Sequence, residues 1–145
     1  MNEAVRPAIS DDVAELAAME AEARSAMAAQ RGGARRLEET AAVGDWTRAV
    51  ATPDRVWVAT IDGVVVGYLE MLISGAVAEV RQVWVHPGAR EVGLGDSLLE
   101  HAVSAARHHG CAVLEGTALP GDRETKNLYE RAGITARKIV VSTRL

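Results

Sequence analysis

The apolar spacing of the chain changes period across one short turn, and that change limits the folds open to it. From Arg55 to His86 apolar residues alternate with polar ones or run in short blocks, the two-residue period of strands. From Leu94 onward they fall at 98, 99, 102, 103, 105 and 106, the spacing of a helix that buries one face. After Gly110 the run CAVLEGTA (111–118) reads as a strand again. A strand, a helix and a strand in that order form a crossover, which makes the two strands parallel neighbours.

The rest of the chain is placed around that unit. Residues 55–60 and 64–73 read as a hairpin turned at Asp62-Gly63, and 78–86 as the next strand. Upstream, 4–9 forms a short first strand. Ser10-Asp11-Asp12 then starts a helix whose stripe is Val13, Leu16, Ala17, Ala23 and Met27, interrupted by Glu20. Gly32-Gly33 breaks the pattern, and a second helix is expected over 36–50. A further helix over 123–132 stops at Gly133, and 135–143 reads as a last strand. The expected order is β-α-α-β-β-β-α-β-α-β. The fold class that follows is α/β, one domain over 1–145, with a mixed, mostly antiparallel central sheet and helices on both faces.

Composition narrows the function classes. Three Trp, two Tyr and no Phe leave the core to aliphatic residues and Ala. The lone Cys111 excludes an internal disulfide framework and a multi-cysteine zinc site. With 16 Lys plus Arg against 20 Asp plus Glu, the net charge of −4 argues against a general nucleic-acid binder. No apolar run reaches the roughly 18–20 residues of a membrane span, and the N-terminus lacks a signal-peptide pattern. The expectation is a cytoplasmic protein with no metal, no nucleic-acid partner and no membrane partner; a homodimer is left open.

The chemistry sits in the turn. His86-Pro87-Gly88-Ala89-Arg90-Glu91-Val92-Gly93-Leu94-Gly95 ends a strand and opens a helix. A helix N-terminus presents unpaired backbone N–H groups and partial positive charge, which suits a phosphate. Gly93 and Gly95 remove side chains where an anion would approach, and Arg90 adds a cation with a fork of donors. Two nucleotide patterns are not met: Gly93-Leu94-Gly95-Asp96 lacks the Lys-Ser/Thr of a P-loop, and position 98 is Leu where a dinucleotide loop needs Gly.

Arg90-x-x-Gly93-x-Gly95, after Val83-Trp84-Val85-His86-Pro87, resembles the acyl-CoA signature of the GCN5-related N-acetyltransferases (GNAT). Asn127-Leu128-Tyr129-Glu130-Arg131-Ala132-Gly133-Ile134 is similar to that family's second signature. The resemblance implies an acyl-CoA N-acyltransferase-like fold and acetyl-CoA as co-substrate. It implies that Arg90, Glu91, Val92, Gly93, Leu94 and Gly95 hold the pyrophosphate, and that Val83 and Val85 pair with the pantetheine arm. Asp122 stands where many members have Asn for that arm, and Ile134 stands where the family has an aromatic. Tyr129 matches the tyrosine that protonates the leaving thiolate, and Glu79 resembles the general base of histone-acetylating members. The implied activity is acetyl transfer to a primary amine by direct attack. The alternative is a non-catalytic acyl-CoA-binding regulatory module, which would need neither Glu79 nor Tyr129. The cluster Arg31, Arg35 and Arg36 reads first as a solvated patch between the first two helices, although in the resembling enzymes that region often borders the acceptor site.

Overall fold

A computed structural model describes residues 1–90 and 92–145. Strand β1 (Glu3–Pro7) leads through a single 3-10 turn into helix α1 (Val13–Ala28), and two short helices follow, α2 (Gly33–Glu39) and α3 (Trp46–Ala51). Strands β2 (Val56–Ile61), β3 (Val64–Ser74) and β4 (Val77–Val85) form a meander. Helix α4 (Leu94–His108), strand β5 (Val113–Gly116) and helix α5 (Arg123–Arg131) complete the order. The sheet runs β1-β2-β3-β4-β5; the first three pairings are antiparallel and β4–β5 is parallel. The α/β class, the mixed sheet and the crossover are as the apolar periods require.

Alternation along the strands builds a core on each face. Val56, Val58 and Tyr68 point toward Leu16 and Met19 of α1 and Trp46 and Ala49 of α3. Trp57, Ala59, Leu69, Met71, Ala78 and Val80 point the other way, onto the α4 stripe Leu94, Leu98, Leu99, Ala102 and Ala106 and onto Leu128 and Tyr129 of α5. Leu98 and Leu99 are fully buried, each stabilising by about 2 kcal/mol relative to exposure. Among the described residues no helix is long and apolar enough to cross a membrane.

Three expectations are corrected. The single helix over 36–50 is two helices, because Gly44 takes a positive φ and Asp45 starts a new helix, its side chain accepting from Arg48 N–H at 3.0 Å. On α1 the inward face carries Met19 and Glu20, while Ala17 is exposed. Glu20 tolerates burial because it accepts the Gln82 amide at 2.6 Å and the Val43 N–H at 3.1 Å. Finally, 135–143 forms no strand. Its Ile139-Val140-Val141 run favours extended backbone, but a strand also needs an edge to pair with. The segment instead leaves the sheet toward α2, where Arg144 meets Glu38 at 2.8 Å.

Candidate active site

β4 is the structural axis of the site. Its rungs with β5 run from Val77–Val113 to Val80–Gly116 and stop there. Just beyond, the register with β3 shifts, pairing Met71 with Val80 and Glu70 with Gln82, so Arg81 is the extra residue of a bulge. The two parallel strands therefore part after Val80, and β4 continues alone on that side through Gln82, Val83, Trp84 and Val85. A cavity of about 690 Å³ fills this fork, reaching from Gly93–Asp96 at one end to Thr40, Tyr68 and Gln82 at the other.

At the first end, Gly93 caps the N-terminus of α4 with φ 81°, a left-handed conformation that favours glycine. The first intrahelical bond there is from Ser97 N–H to Gly93 O, leaving the N–H groups of Leu94, Gly95 and Asp96 without partners in the helix. A methyl added at Gly93 would meet nothing within 4 Å, and one at Gly95 would only touch Leu128 at 3.6 Å. The chain's own packing does not demand either glycine's small size; the open space is consistent with an incoming anion. Arg90 lines the same end, but its guanidinium is already engaged, with Nε donating to Val85 O at 2.8 Å and Nη1 meeting Glu124 at 3.0 Å. Asp122 lines the cavity as the N-cap of α5; its carboxylate accepts from Thr125 N–H and Thr125 Oγ1. Val83 and Val85 lie along the open edge, and Val92 packs against the α4-side core. Glu91 lies outside the described residues.

At the point of the fork stands Tyr129. Helix α5 is too short to be placed by propensity, and the buried pair Leu128-Tyr129 anchors it. The Tyr129 ring lies over Gly116, the last residue of β5, so closely that any Cβ there would overlap its hydroxyl. Gly116 was not singled out in the sequence, although a glycine ending a strand is the mark of such an approach. Burial pushes the Tyr129 phenol above its ordinary range; Arg36 pulls it down and Asp122 pushes it up. Among the described residues no side chain hydrogen-bonds its hydroxyl, which leaves it available to a substrate.

Glu79 sits one rung before the fork, opposite Glu115, with its carboxylate half exposed and 3.5 Å from Arg81 Nε. It does not line the cavity, whereas Arg81 does. The basic cluster of the α1–α2 loop is divided by the fold: Arg35 pairs with Glu39, while Arg36 turns into the cavity. Arg24, Gln82 and Tyr68 also line its far end. Gln82 donates to both Glu20 and Glu70 and accepts from Tyr68, and Arg55 neutralises Glu70 at 2.8 Å. Among the described residues, no group of three or more His, Cys, Asp or Glu is placed to hold a metal ion.

The profile of the Acetyltransferase (GNAT) family matches residues 16–134. No curated protein matches the chain in sequence. Among solved structures, it is similar to the aminoglycoside N-acetyltransferase AAC(6')-Iy in complex with CoA, at 14% identity and TM-score 0.71 over 99% of this chain and 95% of that one. It is also similar to an aminoglycoside acetyltransferase from an uncultured soil metagenomic sample, at 16% identity and TM-score 0.70, covering 99% and 95%. The ribosomal-protein-S18-alanine N-acetyltransferase from Escherichia coli is similar at 19% identity and TM-score 0.64, covering 91% and 77%.

Proposed function

The chain belongs to the GNAT acetyltransferase family, and from that premise we propose that it transfers the acetyl group of acetyl-CoA to a primary amine by direct attack. The observation that carries this reading is Tyr129. Its hydroxyl stands at the closed end of a fork whose other end is a glycine-capped helix N-terminus. A proton donor and an anion cradle, joined by an open strand edge, suit a long thioester with a phosphate at its far end.

In this reading the N–H groups of Leu94, Gly95 and Asp96 hold the pyrophosphate, with the 90–95 loop and Arg90 around it. Val83 and Val85 align the pantetheine arm along β4, and Asp122 faces that arm from α5. The amine nitrogen attacks the thioester carbonyl, and a backbone N–H of the 83–85 segment meets the oxyanion. The C–N bond forms, the C–S bond breaks, and Tyr129 gives its proton to the departing thiolate. The amine proton passes to Glu79 through water, with Arg81 beside that carboxylate.

The need for a base is quantitative. An alkylamine of pKa near 10.4 is about one part in 2,500 neutral at pH 7, a handicap of about 4.6 kcal/mol. Release of the CoA thiol, followed against amines, amino acids, polyamines and peptides, tests the activity. Glu79→Gln keeps the size and removes the proton acceptor, so the rate at neutral pH is expected to fall about 10²–10⁴-fold. The loss should shrink at high pH, where the amine is already neutral. A pH–rate profile identical to the wild type would remove Glu79 from the mechanism.

A further inference from the structure

Arg36 is a cation beside the reaction point with, among the described residues, no acid in ion-pair contact. The other charges of its helix are spoken for: Glu39 pairs with Arg35 and Glu38 with Arg144. Among the described residues no carboxylate lies within 4.0 Å of the Arg36 guanidinium. Among these residues its guanidinium makes one hydrogen bond, from Nη2 to the carbonyl of Arg81 at 3.4 Å. That carbonyl belongs to the bulge residue, the first beyond the last β4–β5 rung. Arg36 therefore hangs over the fork that Tyr129 closes from the other side.

Arg81 adds to it. It lines the same cavity, and its Nε is buried without a hydrogen-bond partner; Glu79, at 3.5 Å, is the acid nearest to it. Arg24 lines the deeper end, where its Nη1 donates to Thr40 O at 2.7 Å. Of the carboxylates near this end, Glu20 and Glu70 are buried behind Gln82, while Glu22 lines the cavity beside Arg24 and lies 3.8 Å from His86. The CoA phosphates do not account for Arg36, because four residues of extended β4 separate Arg81 from Val85, roughly 13 Å. A third anion-binding group at the fork implies an anion on the other substrate.

We propose that the acceptor is an amine that also carries a carboxylate, as an amino acid does, and that Arg36 with Arg81 receives that carboxylate. This rests on the acetyl-transfer reading above. In an α-amino acid the carboxylate is two bonds from the nitrogen, so a nitrogen held at the fork brings the carboxylate to the guanidinium beside it. A guanidinium suits this task because its planar fork can bind both oxygens at once. A polycationic acceptor would instead meet three arginines.

The test compares kcat/KM for amino acids, for the carboxamide of each, and for a polyamine, with acetyl-CoA binding measured by calorimetry on the same sample. The wild type is expected to prefer the free acids. In Arg36→Gln the ratio of kcat/KM for an acid over its own carboxamide should fall about ten- to a hundred-fold. Arg36→Lys, which keeps the charge and loses the fork, should fall less. Taking the ratio cancels any effect of Arg36 on Tyr129. A wild-type preference for carboxamides or the polyamine would overturn the inference, as would an unchanged ratio in Arg36→Gln. So would acetyl-CoA binding with no carboxylate-bearing amine consumed. Failure to bind acetyl-CoA would instead sink the acetyl-transfer reading itself.

Discussion

Tyr129→Phe is expected to lower kcat by about 10²–10⁴-fold and to leave acetyl-CoA affinity within about two-fold of wild type. The substitution removes only the hydroxyl that lies over Gly116, and the buried ring that anchors α5 remains. The energetic case is not trivial. A free thiol titrates near 8.5 and a phenol near 10, so proton transfer to a free thiolate is uphill by about 2 kcal/mol. Burial raises the Tyr129 phenol further, with Arg36 opposing and Asp122 adding. The proposed mechanism therefore requires the proton to move as charge develops on sulfur. Two results follow. The loss in Tyr129→Phe is smaller with a thioester of a more acidic leaving thiol. The wild-type rate shows no decline below about pH 10 from loss of the Tyr129 proton, because its phenol titrates above its ordinary value. An equal loss across thioesters of different leaving-group acidity would make Tyr129 a positioning residue.

Gly93→Val is expected to weaken acetyl-CoA binding by more than about 100-fold while the chain still folds. Gly93 holds φ 81° as the cap of α4; an L-residue there costs about 1–2 kcal/mol, and a β-branched one more. That is a melting-temperature drop of a few degrees. The larger effect is expected to be steric: a valine side chain would project into open space at the cap, where it would crowd an anion bound by the N–H groups of Leu94, Gly95 and Asp96. Gly95→Ala is the matched control. Its methyl meets Leu128 at ordinary contact distance, so affinity should change little. Calorimetric titration with acetyl-CoA checks both, and wild-type affinity in Gly93→Val would remove the helix N-terminus from the site.

What the sequence discloses is uneven, and the reasons are local. The glycine turn is legible because three constraints coincide there: a strand end, a helix start and two glycines. The α4 stripe is legible because five of its residues are buried at helical spacing. Position Tyr129 is marked by its resemblance to a family signature, but the reason it fits its place is Gly116, roughly 45 Å away along a fully extended chain and visible only once β5 and α5 are packed. Arg36 reads as one of three solvated arginines, since three neighbours of like charge give no hint which one turns inward. Its direction is set by α2, a helix that the periodicity merges with α3. Glu20 interrupts an apolar face in the sequence; in the fold it is the acceptor for Gln82 and Val43. The expected last strand fails for a different reason. Ile139-Val140-Val141 has the propensity, yet pairing is a property of two segments, and the second does not follow from the first.

The central claim is that the fork between β4 and β5 receives acetyl-CoA. Thermal unfolding of the wild-type chain with and without acetyl-CoA tests it without knowledge of the acceptor. At 100 times Kd the ligand should add about 2.7 kcal/mol of stability, a rise in melting temperature of roughly 5–11 °C for a chain of this size. No rise with millimolar acetyl-CoA, in a sample that unfolds cooperatively, would contradict the account.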